Sequence, residues 1–341
     1  MTDSAPVTLK SIAKIVGCSD STVSRVISGK SKQFRISPKT EQKILDLAKE
    51  LHFVPNPIAA SLRTRRTLTI GLVIPDISNP FFAGIAPHVE RECRQLGYSV
   101  LLADTEENTD LEIESVSILH KRSIDGLIIA PVGQTFDHLE RLYKSGLPVV
   151  IIDRYFPDST IPYVTSDNYQ GGYDAATHLI ENGHKMIACI QGLPYATPNS
   201  ERVRGYRDAL AAAGVTENED WIVGDSFGEE NGYYETRILL KEFKRPTALF
   251  ALSNLISLGA LRAISEEHLR VPEDISLISF DDQPYSNLLA TPMTTVSQQI
   301  HEMGKIAMQM LYRQMKAEKG AVEESVKLAT TIIRRNSVRT L

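Results

Sequence analysis

The 341-residue chain is too long for one small core and predicts two or three domains. Its 42% hydrophobic and 23% charged residues exclude a disordered or fibrous chain, and no apolar run is long enough for a membrane-spanning helix. The net charge of −5 hides a segregation, because residues 1–66 hold twelve Lys/Arg against five Asp/Glu, a net +7 that leaves −12 on the remainder. A basic segment on an acidic body suits a DNA-binding head joined to a part that does not bind DNA. Cys18, Cys93 and Cys189 are scattered, with no CxxC and no histidine at metal spacing. They read as buried small hydrophobes of a reducing compartment. The first residues lack the order of a signal peptide, so a cytoplasmic location is expected, with no metal and no cofactor.

Leu9, Ile12, Ala13 and Val16 fall at i, i+3, i+4 and i+7 and predict a short helix that Gly17 ends. Ser19 can cap a second helix, whose Val23, Val26 and Ile27 form a buried stripe. Asp20, Ser21, Ser24, Arg25 and Ser28 are expected on the opposite, outer face. Two helices, a tight turn and a polar outer face on the second describe a helix-turn-helix, although an ordinary helical hairpin has the same spacing. The basic loop Gly29–Ile36 follows, and Ser37-Pro38 opens a third helix. Ile44, Leu45, Ala48 and Leu51 are expected to pack that helix under the first two.

Pro55 and Pro57 end the head, and Asn56-Pro57 can open one more helical stretch, too short to be stable alone. Small residues, Leu62 and the arginines Arg63, Arg65 and Arg66 suit a segment that orders on DNA, the leucine wedging a minor-groove step while the arginines meet phosphates. A plain linker has a similar composition. Three runs, Thr8–Ala13, Ser19–Val26 and Pro55–Arg63, resemble the head and hinge of the LacI/GalR family of bacterial transcription regulators. The long loop Gly29–Ser37 resembles the fructose and sucrose repressor branch. The resemblance implies DNA contacts at Thr8, Asp20, Ser21, Thr22, Ser24, Arg25, Arg35, Asn56, Ala59, Leu62 and Arg63. An acidic Asp20 at a position that sets operator preference is unusual, so no operator sequence carries over.

From Leu68 the pattern alternates short apolar runs with amphipathic segments. Strands are expected at Leu68–Ile74, Tyr98–Ala103, Asp125–Ala130, Leu147–Ile152, Met186–Ile190, Ala248–Leu252 and Ile275–Phe280, with helices between them. That predicts an α/β body of two parallel sheets in tandem, with a cleft at the carboxyl ends of their strands.

This half is similar to the periplasmic-binding-protein-like body of the same family, with two doubly wound α/β subdomains. The resemblance rests on Ile74–Phe82, Val149–Arg154, Arg202–Tyr206 and Val271–Asp282. It implies domains at 1–55 (head), 56–67 (hinge) and 68–341 (effector binding and dimerisation). The subdomains are expected at 68–168 plus 299–325, and at 169–298 plus the C-terminal strand. Effector contacts are implied at Phe81, Asp153, Arg202, Phe227, Asn254 and Asp281. Aromatic faces there would stack on a sugar ring while arginine and carboxylates bond its hydroxyls or a phosphate. Phe81 and Phe227 could instead be core, and Asp153-Arg154 a surface pair. Thr197, Asn199 and Ser200 would add hydroxyl-matching groups. Where many members carry Ala-Asn-Asp, this chain reads Leu252-Ser253-Asn254-Leu255, and the lost acid leaves the ligand open.

Enzyme readings find no support. Gly29-Lys30-Ser31 lacks the upstream glycine of a phosphate-binding loop, since position 24 is serine, and His301-Glu302 has no second histidine. No nucleophile elbow and no dinucleotide fingerprint are found. The reading is a non-enzymatic, sequence-specific regulator, more a repressor than an activator. It would bind a pseudo-palindromic operator on double-stranded DNA as a homodimer, under a sugar or sugar-derived effector and without a membrane. The segment Ile332–Leu341 has no leucine heptads, which argues against a tetramer. The alternatives are a solute-binding protein without DNA function and a corepressor-activated regulator of nucleobase type.

Overall fold

Side-chain caps set the helices of the N-terminal region. Thr8 opens α1 (Leu9–Val16) with a reciprocal box: its Oγ1 accepts from the Ser11 N–H at 3.2 Å, and Ser11 Oγ accepts from the Thr8 N–H at 2.9 Å. Gly17, left-handed at φ 77°, ends that helix. Ser19 caps α2 (Asp20–Ile27), and Ser37 with Pro38 opens α3 (Pro38–Glu50). The computed structural model describes residues 7–53, 66–316 and 324–341, and the chain divides into two units, residues 1–67 and 68–341. The expectations at Asn56, Ala59, Leu62, Arg63 and Arg65 lie outside the described residues.

Ile12, Ala13, Val23, Val26, Ile44 and Ala48 form the core of the first unit. Two residues depart from the expected pattern. Ser24 is only 7% exposed and faces the packed side. A helix advances about 100° per residue, so Ser24 borders the Val23–Ile27 stripe while Ser21 and Arg25 stand opposite it. Leu45 is 41% exposed, and Leu47 takes its place against the core. Leu47 is the i+3 partner of Ile44, as the helical period demands.

The second unit is built on two six-stranded sheets. The first contains β1 (Thr69–Ile74), β2 (Ser99–Asp104), β3 (Gly126–Ile129), β4 (Val149–Ile152), β5 (Tyr163–Ser166) and β11 (Val326–Leu328). Its order is β11-β5-β4-β3-β1-β2, and every pair is parallel. Near-continuous Val, Ile and Leu in β1, β3 and β4 reflect burial on both faces. α4 (Pro80–Gln95) and α11 (Ile300–Lys316) contribute to the core on one face, α5 (Thr109–Lys121) and α6 (Asp137–Lys144) to that on the other. This sheet continues to Leu328, beyond the expected limit at 325.

The second sheet contains β6 (Ile187–Ile190), β7 (Ile222–Val223), β8 (Ala248–Ala251), β9 (Ser276–Phe280), β10 (Thr294–Ser297) and β12 (Thr331–Ile333). Its order is β12-β10-β9-β8-β6-β7, with β12 antiparallel to β10 and the remaining pairs parallel. α7 (Asn168–Glu181) and α8 (Thr197–Ala212) pack into one core, α9 (Glu229–Leu240) and α10 (Asn254–Glu266) into the other. The chain passes between the sheets three times, after β5, after β10 and after β11. Among the described residues no helix is long and apolar enough to cross a membrane.

α7 and α8 approach so closely that a Cβ on Gly205 would lie 2.2 Å from the Tyr169 carbonyl oxygen, and one on Gly172 would lie 2.3 Å from that of Arg202. The obstacle in both cases is backbone, which cannot rotate away. Gly205→Ala gains up to about 1 kcal/mol of helix propensity. Overpacking against a rigid neighbour costs about 1–3 kcal/mol and more at so short a distance. The second term wins. Gly205→Ala is expected to lower the melting temperature by several degrees in thermal unfolding; a rise would show that the helices separate freely.

Candidate functional site

The carboxyl ends of the two sheets share a small cavity, lined by residues from both sheets and from the helices that follow their strands. Two aspartates enter it from equivalent places. Asp153 follows β4 and Asp281 follows β9, and both adopt left-handed backbone, at φ 60° and 71°. Aspartate is among the few non-glycine residues that tolerate this conformation. The left-handed residue turns the chain out of its strand and leaves each carboxylate buried at the cavity wall.

Arg202, on α8, is 4% exposed and lies between these acids electrostatically, since each carboxylate holds its charge in place. Its bonds nevertheless go elsewhere. Nε donates to Asn168 Oδ1 at 2.8 Å and Nη1 to the Leu252 carbonyl at 2.6 Å, and the guanidinium stands 3.6 Å from the centre of the Phe280 ring. Asp281 accepts instead from the Gln298 amide, and more weakly from the Asn254 N–H at 3.4 Å. The Asp153 Oδ1 is buried without a hydrogen-bond partner. Burial pushes the Asp153 carboxyl up to about 6 against the pull of Arg202 and Arg154, and burial likewise raises that of Asp281.

Arg154, next along from Asp153, is buried and makes a two-point pair with Glu107, Nη1 to Oε2 at 2.7 Å and Nη2 to Oε1 at 2.5 Å. Phe81 and Phe82 meet edge to face with centroids 5.0 Å apart, and Phe227 completes the aromatic wall. Asn79 caps α4 through the Phe81 N–H at 3.0 Å and accepts from the Asn254 amide at 3.4 Å. This bond joins the two lobes. A second link is the reciprocal pair between Tyr155 and Thr197, both bonds at 2.9 Å.

The cavity therefore gathers Phe81, Asp153, Arg202, Phe227 and Asp281, with Asn254 bonded to its wall. Phe81 is core and wall at once, and Asp153-Arg154 is buried rather than a surface pair. Thr197, Asn199 and Ser200 are not among the lining residues. Thr197 clasps Tyr155, and Asn199 holds the Gly192 N–H at 2.7 Å. Asn79, Phe82, Arg154, Pro198, Ser253 and Gln298 also line the cavity, beyond the contacts expected from the sequence. Arg154 stood in the quoted motif Val149–Arg154, but Gln298 sits in a crossover with no motif around it.

On the first unit, Asp20 and Ser21 are exposed at the start of α2, and Thr22 Oγ1 lies 2.9 Å from Ser19 Oγ. The Arg25 guanidinium rests 4.0 Å over the ring of Phe34, a loop residue that holds it in one place. Arg35 is exposed, at φ 52°. Thr8 is occupied as the cap of α1.

A capped helix-turn-helix and a two-lobed binding body define a ligand-responsive regulator. Residues 8–56 match the lacI family of bacterial regulatory proteins, and residues 67–336 match the periplasmic binding proteins and sugar binding domain of the LacI family. The chain is 37% identical over 300 residues to the transcriptional regulator DegA of Bacillus subtilis, covering 87% of this chain and 88% of that one. It is 34% identical over 335 residues to the transcriptional repressor PurR of Histophilus somni strain 2336, covering 98% and 99%. The lac repressor dimer bound to operator and the anti-inducer ONPF superposes with a TM-score of 0.87 at 26% identity, covering 98% of this chain and all of that one. The chain belongs to the LacI family of bacterial regulatory proteins. It is a DNA-binding transcriptional regulator and not an enzyme.

The raised Asp153 fixes a pH dependence. A carboxyl that titrates near 6 when folded and near 3.8 when unfolded contributes stability that is fully present below 3.8 and lost as pH rises through 6. Asp153→Asn escapes that loss. It is expected to be the more stable protein at pH 7.5, by about 2–3 kcal/mol, with the advantage fading between pH 6 and 4. Urea unfolding of both proteins across this range is the measurement; a difference independent of pH would contradict it.

Proposed function

We propose that the cavity binds a small polyhydroxy effector that controls the operator affinity of the head. The observation that carries this reading is the lining itself: aromatic walls, two buried carboxylates and two buried arginines at the carboxyl ends of the two sheets. Asp153, Arg202 and Asp281 would bond ring hydroxyls, Asn254 would hold Asp281 in place, and Phe81 and Phe227 would cover the ring faces. A ligand seated there touches residues of both sheets, so binding selects one arrangement of the lobes over another.

The DNA-reading set is Asp20, Ser21, Thr22 and Arg25 for bases and Arg35 for phosphate, with the hinge residues Asn56, Ala59, Leu62 and Arg63 in the minor groove. Thr8, the exposed cap of α1, joins the phosphate contacts, and Ser24, on the helix that carries Arg25, would reach DNA only from its 7% exposed edge. Two copies of the chain related by a twofold axis would read a pseudo-palindromic operator in the cytoplasm, as a repressor.

Two measurements test this reading. Arg35→Ala is expected to weaken operator and bulk DNA binding alike and to flatten the slope of log K against log salt by about 0.9. Asp20→Ala should change base preference at one operator position instead; a uniform loss would remove it from the base-reading set.

On the body, Arg202→Ala should abolish the response of operator binding to effector in a gel shift. The structure adds a cost, because this change also breaks the bonds to Asn168 and Leu252, leaves buried Asp281 without its cation and leaves Asp153 with Arg154 alone. That is expected to destabilise by about 3–5 kcal/mol. Phe227→Ala, at a half-buried wall position, is the gentler variant: operator affinity intact and effector affinity lower by tenfold or more. A Phe227→Ala protein that responds at the wild-type effector concentration would take the ligand out of this cavity.

A further inference from the structure

This inference rests on the cavity being the effector site and concerns the charge its ligand can carry. Both arginines of the cavity already bond protein groups. Arg202 does so through two of its three nitrogens, Nε and Nη1, to the neutral partners Asn168 and Leu252, and Arg154 through both Nη atoms to the Glu107 carboxylate. Counting Asp153, Asp281 and Glu107 against Arg154 and Arg202, three carboxylates meet two guanidiniums. The site is short of positive charge.

Glu107 is not placed by chance rotation of a surface side chain. Glu106 and Glu107 both take left-handed backbone, at φ 51° and 54°, which is unfavourable for residues with a Cβ. The turn is tied twice: the Glu106 N–H donates to Asp104 Oδ1 at 3.1 Å, and the Glu107 N–H to the Pro75 carbonyl at 2.9 Å. A strained turn, fixed at both amides, delivers its carboxylate to Arg154.

The unused valences of the cavity agree. On its lining residues the buried polar atoms without a partner are two acceptors, Asp153 Oδ1 and Gln298 Oε1, and one donor, Arg154 Nε. A hydroxyl can give a hydrogen to either acceptor and take one from Nε. A phosphate dianion or a carboxylate has no hydrogen to give, and it adds negative charge to a buried site already in deficit.

We propose that Glu107 is a specificity-determining residue: by engaging Arg154 it makes the cavity select an uncharged polyhydroxy ligand over the phosphorylated or carboxylated forms of the same sugar.

The test titrates the full-length protein calorimetrically at neutral pH with ribose, fructose and glucose, each beside its own phosphate monoester. The expected result is that at least one neutral sugar binds, about tenfold or more tightly than its ester. In Glu107→Gln the gap should narrow because the ester gains affinity, since Arg154 is released as an anion partner. Glu107 is partly exposed, so the variant should fold, and its melting temperature without ligand checks this. An ester that binds wild-type protein as tightly as its sugar overturns the inference and leaves the effector cavity standing. A gap unchanged in a folded Glu107→Gln protein overturns the role of Glu107. If neither sugars nor esters bind at millimolar concentration, the polyhydroxy reading of the cavity falls and takes this inference with it.

Discussion

A buried cation with no direct carboxylate partner governs the body. Arg202 sits where desolvation opposes its charge, and the fields of Asp281 and Asp153 oppose that penalty. Yet its hydrogen bonds go to an amide and a carbonyl, Asp281 is held by Gln298, and Asp153 Oδ1 has no partner. An ion pair closed on itself would leave nothing for a ligand. Three charges held near one another without bonding to each other form a preorganised polar site, whose remaining valences a ligand's hydroxyls can complete at little cost in reorganisation. The same arrangement explains why the Asp153 carboxyl is pushed up to about 6, since opposite charge nearby only partly offsets its burial.

The second constraint is where the supporting bonds lead. Asn168 lies just after the first crossover between the sheets, and Gln298 lies in the second. Arg202 and Asp281 are therefore tied to the segments that any relative movement of the lobes must bend. Asn79–Asn254 and Tyr155–Thr197 join the lobes on the cavity side. A ligand that alters the bonding of Asp281 or Arg202 acts on a crossover as well as on the wall.

Much of this was legible in the sequence, and the exceptions have physical reasons. Buried parallel strands such as Gly126–Ile129 and Val149–Ile152 announce themselves as apolar runs, because both faces are covered. The short strands Ile222–Val223, Val326–Leu328 and Thr331–Ile333 carry no such run, and their pairing is set by distant neighbours. In the head, Ser24 and Leu45 were each assigned to the wrong side, since one position along a helix is enough to cross the edge of its buried stripe. Within the site, aspartates at strand ends were readable because their motifs are. Gln298 and Glu107 were not, since a crossover and a left-handed turn acquire their meaning only when Asp281 and Arg154 are brought beside them.

Charge segregation completes the logic of the chain. The first 66 residues carry +7 and the remainder −12, so DNA attracts one part and repels the other. Repulsion of the body is screened within about 8–10 Å at physiological salt, so it does not prevent binding by an attached head. It does keep the body from adding non-specific affinity of its own. Phosphate attraction, and with it the salt dependence, is then confined to the segment that also carries Asp20, Ser21 and Arg25. A small core built on Ile12, Val23 and Ile44, held by three side-chain caps, has little stability to spare. Such a head can be biased by a modest free energy, which is what an effector acting through another part of the chain has to offer.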